Sequence, residues 1–166
     1  MNEAQRLVDL IPRLRRYARA LVSDRASADD LVQETLERAW AKLHLYRRGT
    51  DLRAWLFTVM HNVHVNKVRS ARATDPLEDE MPELAQRAAQ GDSLVVRDLD
   101  RAISRLPDEQ RAVLLLVTLE EMSYDQVARA LGIPIGTVMS RLSRAREKLR
   151  AMMLGQAAAA KLKVVK

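Results

Sequence analysis

The chain has no cysteine, one phenylalanine, five glycines and five prolines in 166 residues. The missing cysteine excludes disulfides, thiolate metal sites and a cysteine nucleophile, and it fits a reducing compartment. So few glycines and prolines argue against a loop-rich all-β chain. Aromatic residues are only 4% of the sequence, so platforms for stacking bases are scarce. Neither a Gly-rich phosphate loop nor a nucleophile elbow is present. Long apolar runs are missing too. The N-terminal stretch MNEAQRLVDLIPRLRRYARALV is interrupted throughout by Arg or Asp, so neither a signal-peptide core nor a spanning helix can be drawn. A soluble, cytoplasmic chain is expected, with room for two small domains at most.

What is present is an ordinary globular balance, with apolar residues at 48% and charged residues at 30%. The net charge of +6 conceals three blocks. Residues 1–72 hold fourteen Lys/Arg against eight Asp/Glu, residues 73–100 hold two against eight, and residues 101–166 hold twelve against six, which gives +6, −6 and +6. Two basic modules flanking an acidic connector suggest two polyanion-facing surfaces, although well-solvated Arg-rich helices would carry the same charge.

The first module reads as helices throughout. Between Ser27 and Leu43 the apolar residues Leu31, Val32, Leu36, Ala39, Trp40 and Leu43 recur at three-to-four spacing, which predicts a helix burying one stripe, capped by Ser27. Trp55, Leu56, Val59, Met60 and Val63 mark another helix, continuing to about Ser70, after a turn at Arg47–Asp51. A third is expected upstream over Val8–Val22, with Leu10, Leu14, Tyr17 and Leu21 inward. The run DPLEDEMPE at 75–83 has two prolines and five acids in nine residues, a composition that favours an extended connector.

The second module is expected to start a helix near Leu94 and another at Pro107, whose Asp108 and Glu109 suit a first helical turn. Ser123 and Gln126 then form a capping box, Tyr124, Val127, Ala128 and Leu131 make one buried face, and Gly132 supplies the left-handed residue that ends the helix. The next helix runs from about Ile135 to Met152 with Val138, Leu142, Ala145 and Leu149 inward. Two short helices joined by a Gly-containing turn form a helix-turn-helix. Thr137, Ser140, Arg141, Arg144 and Lys148 make a single outward stripe on the second helix, with hydroxyls near its start and guanidiniums behind them. Such a helix can enter a major groove and meet base edges or phosphates.

The segment LPDEQRAVLLLVTLEEMSYDQVARALGIPIGTVMSRLSRAREKLR resembles the promoter-recognition domain of bacterial sigma factors of the extracytoplasmic-function (ECF) group. ADDLVQETLERAW together with DLRAWLFTVMHNVHVNKVRS resembles their first domain. The likeness spans about residues 5–152, in the family's order, with a variable acidic linker between. It implies an all-α chain of two small helical bundles joined by a flexible acidic linker. Residues 1–72 would form the region 2-like domain, 73–92 the linker, 93–153 the region 4-like helix-turn-helix domain, and 154–166 a tail.

The resemblance gives each surface a task. Asp30, Gln33, Glu34 and Glu37 lie on the polar side of the Trp40 helix and would dock on core RNA polymerase; an acidic and amide face suits a basic partner helix. Asn62, Asn66 and Arg69 share a face bordered by Lys67 and Arg72, and with the loop 44–51 they would hold the separated minus-10 strand of promoter DNA. Trp55 sits on the apolar stripe and reads as core rather than as a stacking platform. Thr137, Ser140, Arg141, Arg144 and Lys148 would read the minus-35 element. An anti-sigma protein is the expected inhibitor. Two positions depart from the family pattern, Met139 where Lys or Arg is common and Ser143 where an aromatic or His is common; Met139 reads as a packing residue. Pro134 stands where Ser or Thr usually caps the recognition helix, which leaves Thr137 as the nearest hydroxyl.

No cofactor, small-molecule substrate or membrane insertion is expected. His61 and His64 lie three apart, but no nearby acid completes a metal or catalytic site, so the chain reads as no enzyme. The strongest rival is a stand-alone helix-turn-helix regulator binding a palindrome as a dimer, which would not need the ADDLVQETLERAW module. The linker of twenty residues could reach at most about 66–72 Å. That matches the roughly 70 Å between DNA elements two helical turns apart, so the domains could engage both without touching. Replacing the linker acids with Ser is expected to impair initiation while sparing binding to naked minus-35 DNA; unchanged run-off transcription would dismiss a role for those charges.

Overall fold

The computed structural model of the chain describes residues 2–74 and 94–164; most of the acidic connector therefore lies outside the described residues. Among those described, eight α-helices and one 3-10 turn occur and no strand. Asn2 caps α1 (Glu3–Asp9) by accepting from the Gln5 N–H at 2.9 Å. The single helix expected over Val8–Val22 is instead two, with α2 (Ile11–Leu21) starting after Leu10. Pro12 is the reason: it lacks an N–H and is tolerated only in a helix's first turn, so its presence restarts the helix.

In α3 (Arg25–Lys42) the cap is Asp24, three residues before the expected Ser27. The Asp24 carboxylate accepts from the Ser27 hydroxyl at 2.7 Å and from the Ser27 N–H at 3.1 Å, and these bonds hold it below the usual carboxylate range. Ala28, Leu31, Val32, Thr35 and Ala39 are buried, whereas Trp40 is 63% exposed and does not belong to the inward stripe. The 3-10 turn Leu43–Leu45 leads to α4 (Leu52–Thr74), which starts at Asp51, whose carboxylate accepts from the Ala54 N–H at 3.2 Å, and outlasts the expected end at Ser70. Trp55 is half-buried beside the core with its ring 5.4 Å from that of Tyr46, in keeping with a packing role.

Past the connector come α5 (Leu94–Ser104), α6 (Asp108–Thr118), α7 (Tyr124–Leu131) and α8 (Ile135–Val164), the last extending beyond the expected Met152. Both bonds of the Ser123/Gln126 capping box form, at 2.9 and 3.2 Å. Gly132 adopts φ 66°, the left-handed conformation that ends α7, and the Ile133 N–H reaches back to the Ala128 carbonyl at 3.0 Å. The helix-turn-helix is therefore built as its sequence dictates.

The two halves are not separate. Leu14, Tyr17, Ala18 and Leu21 of α2, Leu56, Phe57, Met60 and Val63 of α4, Val113 and Leu116 of α6, Val127 of α7 and Leu142 of α8 belong to one apolar cluster. Helix α2 lies against α5 and α6, and α4 lies against α7. Each fully buried leucine of this kind contributes about 1.5–3 kcal/mol relative to an exposed one.

A set of polar bonds runs along the seam between the halves. Arg16 donates to the Leu119 carbonyl at 3.1 Å, Arg53 to the Glu120 carbonyl at 2.7 Å, and Arg111 to the Leu21 carbonyl at 2.9 Å. His64 Nε2 lies 2.9 and 3.1 Å from the two oxygens of Asp108, and Gln126 donates to Asp51 at 2.9 Å. The Glu120 carboxylate, 1% exposed, sits 3.5 Å from Arg16 and 3.9 Å from Arg13.

The seam carboxylates respond to burial in opposite ways. Desolvation pushes Glu120 above the usual carboxylate range despite the arginines around it. Desolvation also acts upward on Asp108, but the hydrogen bond and charge of His64, followed by Arg111, more than reverse it and leave Asp108 below that range. A lowered carboxylate stabilises the fold above its unfolded value and loses that contribution as pH falls through its folded value, whereas Glu120 favours the fold increasingly as pH falls.

Two outcomes follow from these placements. Gly132→Ala should destabilise by about 1 kcal/mol, from backbone strain alone, since no atom lies within 4 Å of the added Cβ; an unchanged melting temperature would contradict it. Asp108→Asn should lower the melting temperature at neutral pH and flatten its decline between roughly pH 5 and pH 3, and an acid limb as steep as that of the parent chain would show that Asp108 is not the titrating group.

Candidate nucleic-acid interface

Helix α8 is anchored by Val138, Leu142 and Ala145, all buried, which turns the opposite side outward. Ser140, Arg144 and Lys148 are exposed there, and the Ser140 hydroxyl donates to the Thr137 carbonyl at 3.1 Å. Thr137 is half-buried at the helix start. Arg141 lies apart from the other four: its guanidinium is 3.5 Å from Glu109 of α6, with the side chain 25% exposed. The outward stripe is therefore four residues with Arg141 turned to its flank. Met139, expected to pack, is instead 49% exposed and lines an open groove of about 370 Å³ with Tyr124, Leu142, Ser143, Arg146, Glu147 and Arg150. Val138 occupies the inward position beside it, so helix periodicity sends residue 139 out.

On α4, Leu56, Met60 and Val63 fix the inward face and leave Asn62, Asn66, Arg69 and Arg72 exposed. Lys67 is half-buried, its ammonium 3.1 Å from Glu34 of α3. The loop ahead of α4 is held by its own bonds: the Tyr46 hydroxyl donates to the Thr50 carbonyl, and the Thr50 hydroxyl donates to the Arg47 carbonyl at 2.7 Å. His44, Leu45, Arg47 and Arg48 remain exposed on it, with Arg48 3.2 Å from Glu3. This loop presents cations and an apolar side chain on a braced frame, which suits capture of an unstacked strand.

His61 and His64 face the seam. Burial lowers His61 below the usual imidazole range, and the nearby charges of His64 and Arg141 act the same way against the opposing pull of Asp108. No group of three His, Asp or Glu residues arranged for a metal ion occurs among the described residues, and no described helix is long and apolar enough to cross a membrane.

The acidic face of α3 is assembled as expected in part. Asp30, Gln33 and Glu37 are exposed, with Gln33 donating to Glu37 at 3.3 Å. Glu34 is half-buried and engaged by Arg38 at 2.8 Å and Lys67 at 3.1 Å; its hydrogen bond from Lys67, before all other causes, holds it below the ordinary carboxylate range. Glu34 and Lys67 thereby join the face read as polymerase-binding to the face read as strand-binding. Trp40 was missed by the sequence reading as a surface residue, yet 33, 37 and 40 are spaced four and three apart, so it extends the Gln33–Glu37 stripe.

Comparison with known proteins places both halves of the chain in one family. Residues 7–61 match the family described as the Sigma2 domain of PhyR, and residues 97–149 match Sigma-70, region 4. The chain is 37% identical over 145 residues to the ECF RNA polymerase sigma factor EcfG of Rhodopseudomonas palustris, covering 86% of this chain and 80% of that protein. It is 37% identical over 144 residues to the ECF sigma factor SigM of Mycobacterium tuberculosis, covering 86% and 71%. The sigma factor RpoE of Bartonella quintana, solved in complex with the anti-sigma factor NepR, is 36% identical and superposes with a TM-score of 0.80 over 90% of this chain and 95% of that one.

Proposed function

The chain belongs to the ECF RNA polymerase sigma factors, and from that membership we propose how its surfaces divide the work of transcription initiation. It recognises promoters and starts transcription as a subunit of RNA polymerase. Residues 1–72 form the polymerase- and minus-10-binding domain, 93–153 the minus-35-binding domain, and 73–92 the connector. The observation that carries this reading is the helix-turn-helix with its capped α7, left-handed Gly132 and exposed Ser140, Arg144 and Lys148 on α8, joined to a second, differently built polar face on α4. A dimeric regulator has no use for that second face.

On α8, Arg144 and Lys148 meet phosphates or base edges, Ser140 and Thr137 supply hydroxyls at the helix start, and Met139 offers an apolar contact to a thymine methyl. Arg141 contributes once Glu109 releases it. On α4, Asn62 and Asn66 bond the edges of flipped bases while Lys67, Arg69 and Arg72 hold the strand's phosphates. Asp30, Gln33, Glu34 and Glu37 dock on polymerase. Trp40 is added to that surface, since a solvent-facing tryptophan beside charged and amide groups is the kind of residue that anchors an interface. No catalytic step is assigned to the chain. RpoE of B. quintana superposes on both halves of this chain and is held by NepR, which supports an anti-sigma protein as a further partner here.

Run-off transcription with core polymerase tests the whole reading. Trp40→Ala should weaken association with core polymerase by about tenfold and leave affinity for naked minus-35 DNA unchanged. Arg144→Ala should do the reverse, costing about 1–3 kcal/mol on DNA and flattening the salt dependence. If both variants fail equally in both assays, the division of surfaces is wrong.

A further inference from the structure

We propose that the chain holds itself in a closed, transcriptionally silent conformer through a latch in which Arg16 and Arg53 of the first half clasp the end of α6 in the second. This rests on the sigma-factor reading above and goes beyond it, because the closure needs no second protein.

The latch has identifiable parts. Helix α6 ends at Thr118, and the following carbonyls, Leu119 and Glu120, receive guanidinium bonds from Arg16 and Arg53 at 3.1 and 2.7 Å. Orphan carbonyls at a helix C-terminus carry partial negative charge, so cations are favoured there. The Glu120 side chain lies in the same seam among Arg13, Arg16 and Arg53, and its Oε2 has no hydrogen-bond donor. A second clasp joins the root of α4 to that of α7, the first helix of the helix-turn-helix. Asp51 initiates α4 with one carboxylate oxygen and accepts from Gln126 with the other, while Gln126 completes the capping box of α7. His64 of α4 and Asp108 of α6 make a third.

Geometry makes the closed form silent. With α4 packed against α7 and α7 against α8, the two reading helices, α4 and α8, lie about two helix spacings of 8–10 Å apart. Promoter elements two helical turns apart lie about 70 Å from one another. The same chain cannot occupy both while the seam is shut. Binding to polymerase and DNA must therefore draw on an open form, and the apparent affinity falls by the fraction of molecules that are closed.

The chain's lack of cysteine permits a direct test. Ala26→Cys on α3 and Arg129→Cys on α7, both exposed and outside the seam, carry a spin-label pair on the full-length protein. The free chain should give one short, narrow distance distribution, and core polymerase with promoter DNA should lengthen it. Arg16→Ala with Arg53→Ala should populate the long distance in the free chain and raise run-off yield at limiting core polymerase by about three- to tenfold. Gln126→Glu is the second variant: it keeps an acceptor at the third position of the capping box but sets a like charge against Asp51, and it should act in the same direction. A broad, long distribution in the free parent chain overturns the proposal, as does a variant that opens without gaining transcription. A variant that stays folded and closed also overturns it. Should the parent chain direct no transcription under any condition while the short distance persists, the functional reading fails and the closure stands.

Discussion

Where α6 stops, two carbonyl oxygens and a carboxylate are left without partners from their own helix, and arginines from the far side of the sequence supply them. Few contacts in the molecule are as constrained. A carboxylate that is 1% exposed is tolerated only among cations, and here the compensation is incomplete, since burial still holds Glu120 above its ordinary range. Taking away one side of such a cluster strands charge on the other, so its two sides stand or fall together.

The position of this cluster decides what it can control. The turn after α6 passes through Glu121 at φ 53°, a left-handed conformation that is unfavourable for a residue with a Cβ. Met122 then closes back on the Leu116 carbonyl at 3.0 Å, and Ser123 caps α7. The helix-turn-helix thus hangs from the segment that Arg16 and Arg53 clasp. Likewise α4 springs from Asp51, which the seam also engages. Helix α4 and helix α7, on which α8 is packed, both start at the junction, so the junction together with the apolar cluster sets the relative placement of the two reading faces.

Much of the architecture is written locally. The Ser123/Gln126 box, the left-handed Gly132 and the inward Val138, Leu142 and Ala145 all follow from spacings of three and four residues, and the structure has each of them. The errors are local as well: Pro12 splits a helix that apolar periodicity joins, Asp24 captures a cap that Ser27 was expected to make, and Trp40 leaves the stripe it extends by spacing alone. A tryptophan on the boundary between a helix's two faces satisfies either assignment, and only tertiary contacts decide. The seam was not legible at all. Its bonds join residues 44 to 104 positions apart, often through backbone carbonyls that carry no sequence signal, so a chain read as two free modules shows no sign that they meet. The roles given to Asn62, Asn66 and Arg69 came from resemblance; the structure adds their exposure and the tie between Glu34 and Lys67.

Charge explains why such a seam is needed and why it can open. Two modules of net positive charge repel when brought together, and the second offers the first only a few carboxylates, Glu120 among Arg13, Arg16 and Arg53, and Asp108 beside His64. Apolar burial across α2, α4, α6 and α7 supplies the cohesion, while those carboxylates relieve the repulsion and fix the register. A polyanion or an acidic protein surface offers the same arginines more negative charge than one buried glutamate can. Closure is therefore strongest in the absence of such partners and weakest beside them, which is the behaviour required of a subunit that must stay inert until it meets its polymerase and a promoter.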